Sequence, residues 1–333
     1  MIDPRLPGLE TATDDGAIRA ILSRALGPER PPLRAVRHSV LKHAPGKHCV
    51  IEYRIEREGE GSERVIGKLY REPRAALRFG QLQRVHDHAA HGGRPDALGV
   101  PEPLAHVAEL GMVLLRAVPG TELSRLDADA DWIGGVRAVA DNLAHFHSLP
   151  VPADTRSMAD HVRRFCRPSA SELVAMRPHL ANSVENVLRA LALVDGPGAG
   201  AASLVHGDLG LGQVLLSGSR AYFVDLDGLC RSHPALDVAN FLISLRLRLG
   251  PLSAEPERAF IARYRERRPR EALAELDAYQ ALAYLRRAAA AFRPPASPEA
   301  EARGERLLAI ANWIARAAME AELARGGSPG GAP

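Results

Sequence analysis

The chain has 333 residues and a mass of 35.9 kDa, enough for one large domain or two moderate ones with a true interior. Apolar residues make up 46% and charged residues 25%, with a net charge of +3. This balance excludes wholesale disorder, collagen-like repeats and a disulfide scaffold, and no run approaches the roughly 20 apolar residues that cross a bilayer. Arginines are spread along the whole length and not gathered on one face or tail, which argues against a nucleic-acid partner. Met1-Ile2-Asp3-Pro4-Arg5 lacks the layout of an export signal. Cys49, Cys166 and Cys230 are scattered and match no metal-ligand spacing, as free thiols in a reducing cytoplasm would be.

In chain order, the first element reads as a helix with Thr13 as N-cap and Ala17, Ile18, Ile21, Leu22 and Ala25 on its apolar face, ended by Gly27-Pro28. Segments 33–42, 48–57 and 64–71 are β-rich, with alternation clearest from Cys49 to Ile55. Turn-like Ala44-Pro45-Gly46-Lys47 and Glu58-Gly59-Glu60-Gly61 separate them, which predicts an antiparallel meander. A helical pattern over 74–90 and short strands at 104–108 and 111–116 follow. Beyond Pro119-Gly120 the pattern turns helical, over 131–148, 158–165, 170–194, 255–267, 270–292 and 298–324. One β-rich island interrupts it, at 213–216 and 221–226. The expected organisation is an N-terminal lobe over 1–117, a helical lobe over 118–325, and a Gly/Pro/Ser-rich tail, 326–333, too polar to order.

The β island carries the chemistry. Val205-His206-Gly207-Asp208 leads into an apolar strand, turns at Ser217-Gly218, and returns through Ala221-Tyr222-Phe223-Val224 to Asp225-Leu226-Asp227. Asp208 and Asp225 thereby fall at one end of a hairpin. Phosphoryl transfer uses such a set: one carboxylate accepts the proton of the attacking hydroxyl, while an amide five residues on and a second carboxylate hold magnesium. Gln213 stands at the amide position. Only three of the 43 basic residues are lysines, Lys42, Lys47 and Lys68, all in one N-terminal stretch, so a compact ammonium has a candidate role there.

From about residue 35 to 245 the chain resembles the aminoglycoside phosphotransferase family, within the choline-kinase-like and protein-kinase-like enzymes. The likeness is carried by Val205-His206-Gly207-Asp208, Val224-Asp225-Leu226-Asp227, His233-Pro234-Ala235-Leu236-Asp237-Val238-Ala239-Asn240-Phe241 and Leu143-Ala144-His145-Phe146-His147, in that family's order and spacing. It implies an α+β, two-lobed protein-kinase-like fold, with a small antiparallel-sheet lobe and a larger, mainly helical one. It also implies ATP (or GTP) and Mg2+ as cofactors, and a small molecule with a hydroxyl group as acceptor. Asp208 would be the catalytic base and His206 the brace of its loop. Lys68 would contact the α/β-phosphates, the Gly46 turn would cover them, and backbone at Arg116 and Val118 would face the adenine. Gln213 and Asp225 would ligate magnesium; Asp227 would touch a second ion or be solvated at the strand end. Asp237 is expected to hold the catalytic loop, and His145 and His147 to sit in a core.

Two features depart from the pattern. No Glu lies between Glu72 and Glu102 to pair with Lys68, leaving Gln81, Gln83 or Asp87, or no partner. Gln213 replaces Asn, offering the same carbonyl oxygen on a longer arm. They leave two readings, a small-molecule kinase and a nucleotide-binding pseudokinase with a regulatory or scaffolding role. The acids of the expected substrate-side helices, such as Glu257, Glu266 and Glu275, alternate with arginines, so the sequence does not name the acceptor.

Overall fold

The computed structural model describes residues 1–27, 29–59, 61–71, 73–91, 98–194, 202–268 and 273–326. The chain divides into two compact units. The first takes Met1–Thr121 with Leu215–Asp227, and the second takes Glu122–Val214 with the chain from Gly228 on.

The first unit is built on five antiparallel strands: β1 (Leu33–Ala44), β2 (His48–Arg57), β3 (Ser62–Tyr70), β4 (Pro103–Val107) and β5 (Met112–Arg116), in the order β1-β2-β3-β5-β4. Because side chains alternate along a strand, the pairs Val50↔Lys68 and Lys68↔Val113 put these three residues on one face. On the other face Ile51, Tyr53, Val65, Leu69 and Leu114 pack against Ile18 and Leu22 of the helix Asp15–Ala25. The Lys68 face receives Ala75, Phe79 and Leu82 of the helix Arg74–His91, packed with Tyr70, Val113 and Leu115. Gly67 is required beside Lys68, since a Cβ there would lie 2.6 Å from the Tyr53 ring and 2.8 Å from Met112 Sδ.

Asp14, and not Thr13, caps the helix Asp15–Ala25, its carboxylate accepting the Gly16 and Ala17 amides at 2.9 Å. Thr13 instead closes a short helix, Leu9–Ala12, which the sequence reading did not contain, and donates its hydroxyl to Leu9 O at 2.9 Å. Pro28 lies outside the described residues, as do Glu60 and residues 327–333 of the expected tail; Gly326 is the last residue of the helix Pro298–Gly326.

The second unit is mainly helical. Its core gathers Phe165, Val187, Leu236, Ile243, Leu282, Leu285, Leu308 and their neighbours. The helix Leu276–Ala291 is buried along most of its length, its alanines allowing close approach of Ala181–Leu193, Ala235–Leu249 and Pro298–Gly326. The single helix expected over 170–194 is two, Ala170–Met176 and Ala181–Leu193, broken at Pro178, which lacks the amide the helix ladder needs. Likewise the helix expected over 270–292 begins at Leu276, with residues 269–272 outside the described set. Two short strands that sequence reading missed, Ser203–Val205 and Cys230–Ser232, pair antiparallel and lead directly into the His206 loop.

Candidate active site

The hairpin strands are Val214–Ser217 and Arg220–Phe223. The second strand stops three residues before its expected end. Its acids therefore lie beyond the strand, because Asp225 takes the left-handed backbone, φ +64°, which no strand accommodates. Among the described residues it is the one non-glycine with a positive φ. Strain of this kind persists where surrounding contacts over-determine it.

Those contacts belong to Lys68. Its ammonium lies 2.5 Å from Asp225 Oδ1 and 3.0 Å from Asp227 Oδ1, with a side chain only 6% exposed. Tyr70, two residues along the same strand face, donates its hydroxyl to Asp227 Oδ1 at 2.6 Å. Burial, then the charge of Asp227, raises the Tyr70 pKa well above the usual phenol value, so the group stays a donor. The missing helix glutamate is thus answered. Lys68 pairs with two carboxylates of the hairpin, and Gln81 accepts instead from Arg78 Nη1 at 2.6 Å.

Beside Lys68 the same sheet face carries Val50, Ile66 and Leu115, all left partly exposed, an apolar shelf next to a cation. At the end of β5, Arg116 turns its side chain away to Glu63 at 2.5 Å and Glu102 at 2.6 Å. Arg116, Val118, Glu102 and Tyr222 line a cavity of about 360 Å³ that contains neither Lys68 nor Asp225. The Val118 amide has no hydrogen-bond partner among the described residues. At the Gly46 turn the Gly46 amide donates to Asp3 Oδ2 at 2.7 Å, and His43 Nε2 lies 2.9 Å from the same oxygen. Those two contacts hold the Asp3 carboxyl below its ordinary pKa.

In the second unit, Asp237 organises the loop that carries Asp208. Fully buried in the first turn of the helix Ala235–Leu249, its carboxylate accepts the amides of His206 at 2.6 Å and Gly207 at 2.9 Å. His147 Nε2 lies 3.1 Å from it, and His147 Nδ1 2.7 Å from the Tyr264 hydroxyl. Burial lowers the His147 pKa, so the ring is neutral, donating to Asp237 and accepting from Tyr264. Burial raises Asp237, but its hydrogen bonds to His147 and to the loop outweigh this and leave it below the usual carboxylate value. His145, on the helix Trp132–Ser148 together with His147, is partly exposed.

The loop conformation needs glycine. Gly207 has φ +78°, and a Cβ there would lie 2.4 Å from Gly228 O. His206 is buried, and its Nδ1 accepts the Asp208 amide at 3.3 Å. The Asp208 side chain is 46% exposed, and its Oδ1 accepts from Arg286 Nη2. Gln213 closes a 3₁₀ turn, Leu211–Gln213, with its amide on Gly210 O at 3.1 Å.

Sequence reading missed Tyr70, His48 and Arg286. His48 shares the Lys68 face of β2, and its Nε2 is buried without a hydrogen-bond partner among the described residues. Burial, then Lys68, lowers its pKa. Strand parity was the available signal for His48 and Tyr70, since both stand an even number of residues from a position facing Lys68. Nothing local marked Arg286.

A model of the phosphotransferase enzyme family matches residues 51–279. The chain belongs to that family. Comparison with curated proteins finds no match. Among solved structures, the chain is similar to an aminoglycoside phosphotransferase, a thermostable mutant bound to ADP and hygromycin B (TM-score 0.60, 15% identity, 90% of this chain and 98% of that one). It is also similar to a choline kinase from Cryptosporidium parvum (0.58, 10% identity, 94% and 97%) and a choline/ethanolamine kinase family protein from Mesorhizobium loti (0.57, 14% identity, 91% and 99%). The fold is the kinase-like one, with an antiparallel-sheet N-terminal part and a mainly helical remainder.

Proposed function

We propose that the protein transfers the γ-phosphoryl group of ATP to a hydroxyl of a small polar molecule, with Asp208 as the proton acceptor. The observation that carries this reading is the Asp208 loop. Three buried groups, Asp237, His147 and Tyr264, fix its backbone while leaving the Asp208 carboxylate reachable from solvent. A loop kept only for packing has no use for a half-exposed acid on so rigid a support. The complex of the similar aminoglycoside phosphotransferase with ADP supports nucleotide use.

In this reading Lys68 holds phosphate oxygens, and the apolar shelf of Val50, Ile66 and Leu115 receives the base, with the free Val118 amide as a donor to it. Magnesium fits the donors present. Asp225 and Asp227 supply hard carboxylate oxygens already gathered around one cation, and Gln213 supplies an amide oxygen. Among the described residues no cluster of three or more His, Cys, Asp and Glu forms a protein-only cage, which suits an ion that keeps waters and takes phosphate oxygens. When bound, the ion neutralises charge on the transferring phosphoryl group. As the hydroxyl oxygen bonds to the γ-phosphorus, its proton passes to Asp208, and the bond from that phosphorus to the bridging oxygen breaks, releasing ADP. The three free, buried cysteines support a reducing compartment, the cytoplasm. No helix among the described residues is long and apolar enough to cross a membrane.

The test is Asp208→Asn, which keeps shape but removes the basic oxygen. Single-turnover transfer falls by at least about 10²-fold, while ATP affinity, titrated directly, stays within a few-fold. A wild type that binds ATP but transfers to no acceptor, matched by the mutant, would establish the pseudokinase reading instead.

A further inference from the structure

Asp208 is met by a cation that a general base does not need. Arg286, on the helix Leu276–Ala291, donates from Nη2 to Asp208 Oδ1, and its guanidinium lies 4.4 Å from the centre of the Phe165 ring. That stacking holds the planar group in place. Among the described residues the next residue, Arg287, donates to neutral acceptors: Ala283 O at 3.0 Å, Asn240 O at 3.1 Å and Ser244 Oγ at 2.6 Å. Burial and the charge of Arg286 push its pKa down to about 10, still cationic at neutral pH. Two guanidinium groups therefore share one carboxylate, and a positive charge is left over beside the proposed base.

Three acids of the helical unit are held by arginines, whereas a fourth, Glu275, has only His233 Nε2 at 3.9 Å and no hydrogen-bond partner on its buried Oε2 among the described residues. Glu257 pairs with Arg246 at 2.8 Å, Glu266 with Arg263 at 2.7 Å, and Asp141 with Arg263 at 2.9 Å and Arg267 at 3.1 Å. A protonated amine brought to Asp208 meets Arg286 at close range, and like charges there cost affinity.

Resting on the phosphotransferase reading, we propose that the acceptor is a hydroxyl compound bearing an anionic group, a carboxylate or a phosphate, and that Arg286 is the residue that selects it. Without acceptor, Arg286 is held by Asp208. An acceptor anion takes the guanidinium by a charge-assisted, bidentate contact. Asp208 Oδ1 then loses the donor that occupies it and is free to accept just when a hydroxyl is present to give up its proton. One residue thus couples recognition of the acceptor to readiness of the base.

The experiment measures magnesium-dependent ADP formation from ATP with matched acceptors. One set is D-gluconate, glucose 6-phosphate, D-glucose and D-glucosamine; a second is D-glycerate, glycerol 3-phosphate, glycerol and serinol. The carboxylate or the phosphate members show kcat/KM at least tenfold above the neutral ones, with the amines lowest, and the two anionic arms tell which group is read. Arg286→Gln raises the acceptor KM at least tenfold and erases the ranking, and Arg286→Lys restores part of it, which also answers a folding defect in the first variant. Turnover that favours neutral or amine members, or a ranking unchanged in Arg286→Gln, overturns the inference and leaves the phosphotransferase reading standing. No ADP formation with any member overturns both.

Discussion

The ammonium of Lys68 stands 2.5 Å from a carboxylate oxygen of Asp225, a residue 157 positions later in the chain. The pair ties the middle of the sheet to the one strained non-glycine backbone among the described residues. A lysine in this position offsets the repulsion between two acids, and in the proposed function it also contacts the triphosphate.

Lys68→Ala therefore removes a contact whose loss costs about 1.5–3 kcal/mol. ATP affinity or turnover falls at least tenfold, read by nucleotide titration. Lys42 and Lys47 are exposed, and their alanine variants stay within about twofold. Equal losses from all three would mean a diffuse basic surface and no specific contact.

Gly207→Ala tests the loop. The variant must place a Cβ 2.4 Å from Gly228 O at a backbone angle that alanine disfavours. We expect a loss of roughly 2 kcal/mol or more in urea unfolding, together with loss of transfer. Gly218 is the contrast: its φ is +58° but nothing lies within 4 Å of a Cβ. Gly218→Ala should cost only about 1 kcal/mol.

Acid weakens the helical unit through buried histidines. Burial pushes His161 and His233 down to about 4 and lowers His147 as well. The folded state binds fewer protons than the unfolded chain between about pH 6.5 and 4, so their contribution is whole above 6.5 and is lost as pH falls towards 4. From pH 7 to pH 5 each of the first two costs about 2 kcal/mol. The melting temperature drops over this range, and drops less in His161→Gln. An equal drop would clear His161 of the effect.

If Gln213 supplies an oxygen to magnesium, as proposed, Gln213→Ala should raise the magnesium concentration needed for half-maximal ADP formation. An unchanged requirement would remove Gln213 from the metal site.

The strands and most helices were legible because their alternation or helical spacing is written in consecutive residues, as from Cys49 to Ile55. The candidate site residues Asp208, Gln213 and Asp225 were singled out for a related reason: they stand at separations that a recurring chemistry uses. Asp237 was assigned correctly as the holder of the loop from its place at a helix start. What failed was local competition. Thr13 and Asp14 are both good caps, and only the fold shows which side chain meets the amides. Pro178 inside an apolar pattern was read through when it breaks the helix. The partner of Lys68 and the cation on Asp208 are contacts across long stretches of sequence, and no window of neighbouring residues contains them.

Asp3 has a practical consequence. Its carboxylate is the anchor of the Gly46 amide and of His43, so the β1–β2 turn owes its position to a residue two places from the start of the chain. Affinity tags fused at that end, or a recombinant version trimmed to begin at the first strand, alter the tether of a turn more than forty residues away. Protein intended for nucleotide titration is better tagged after the last helix.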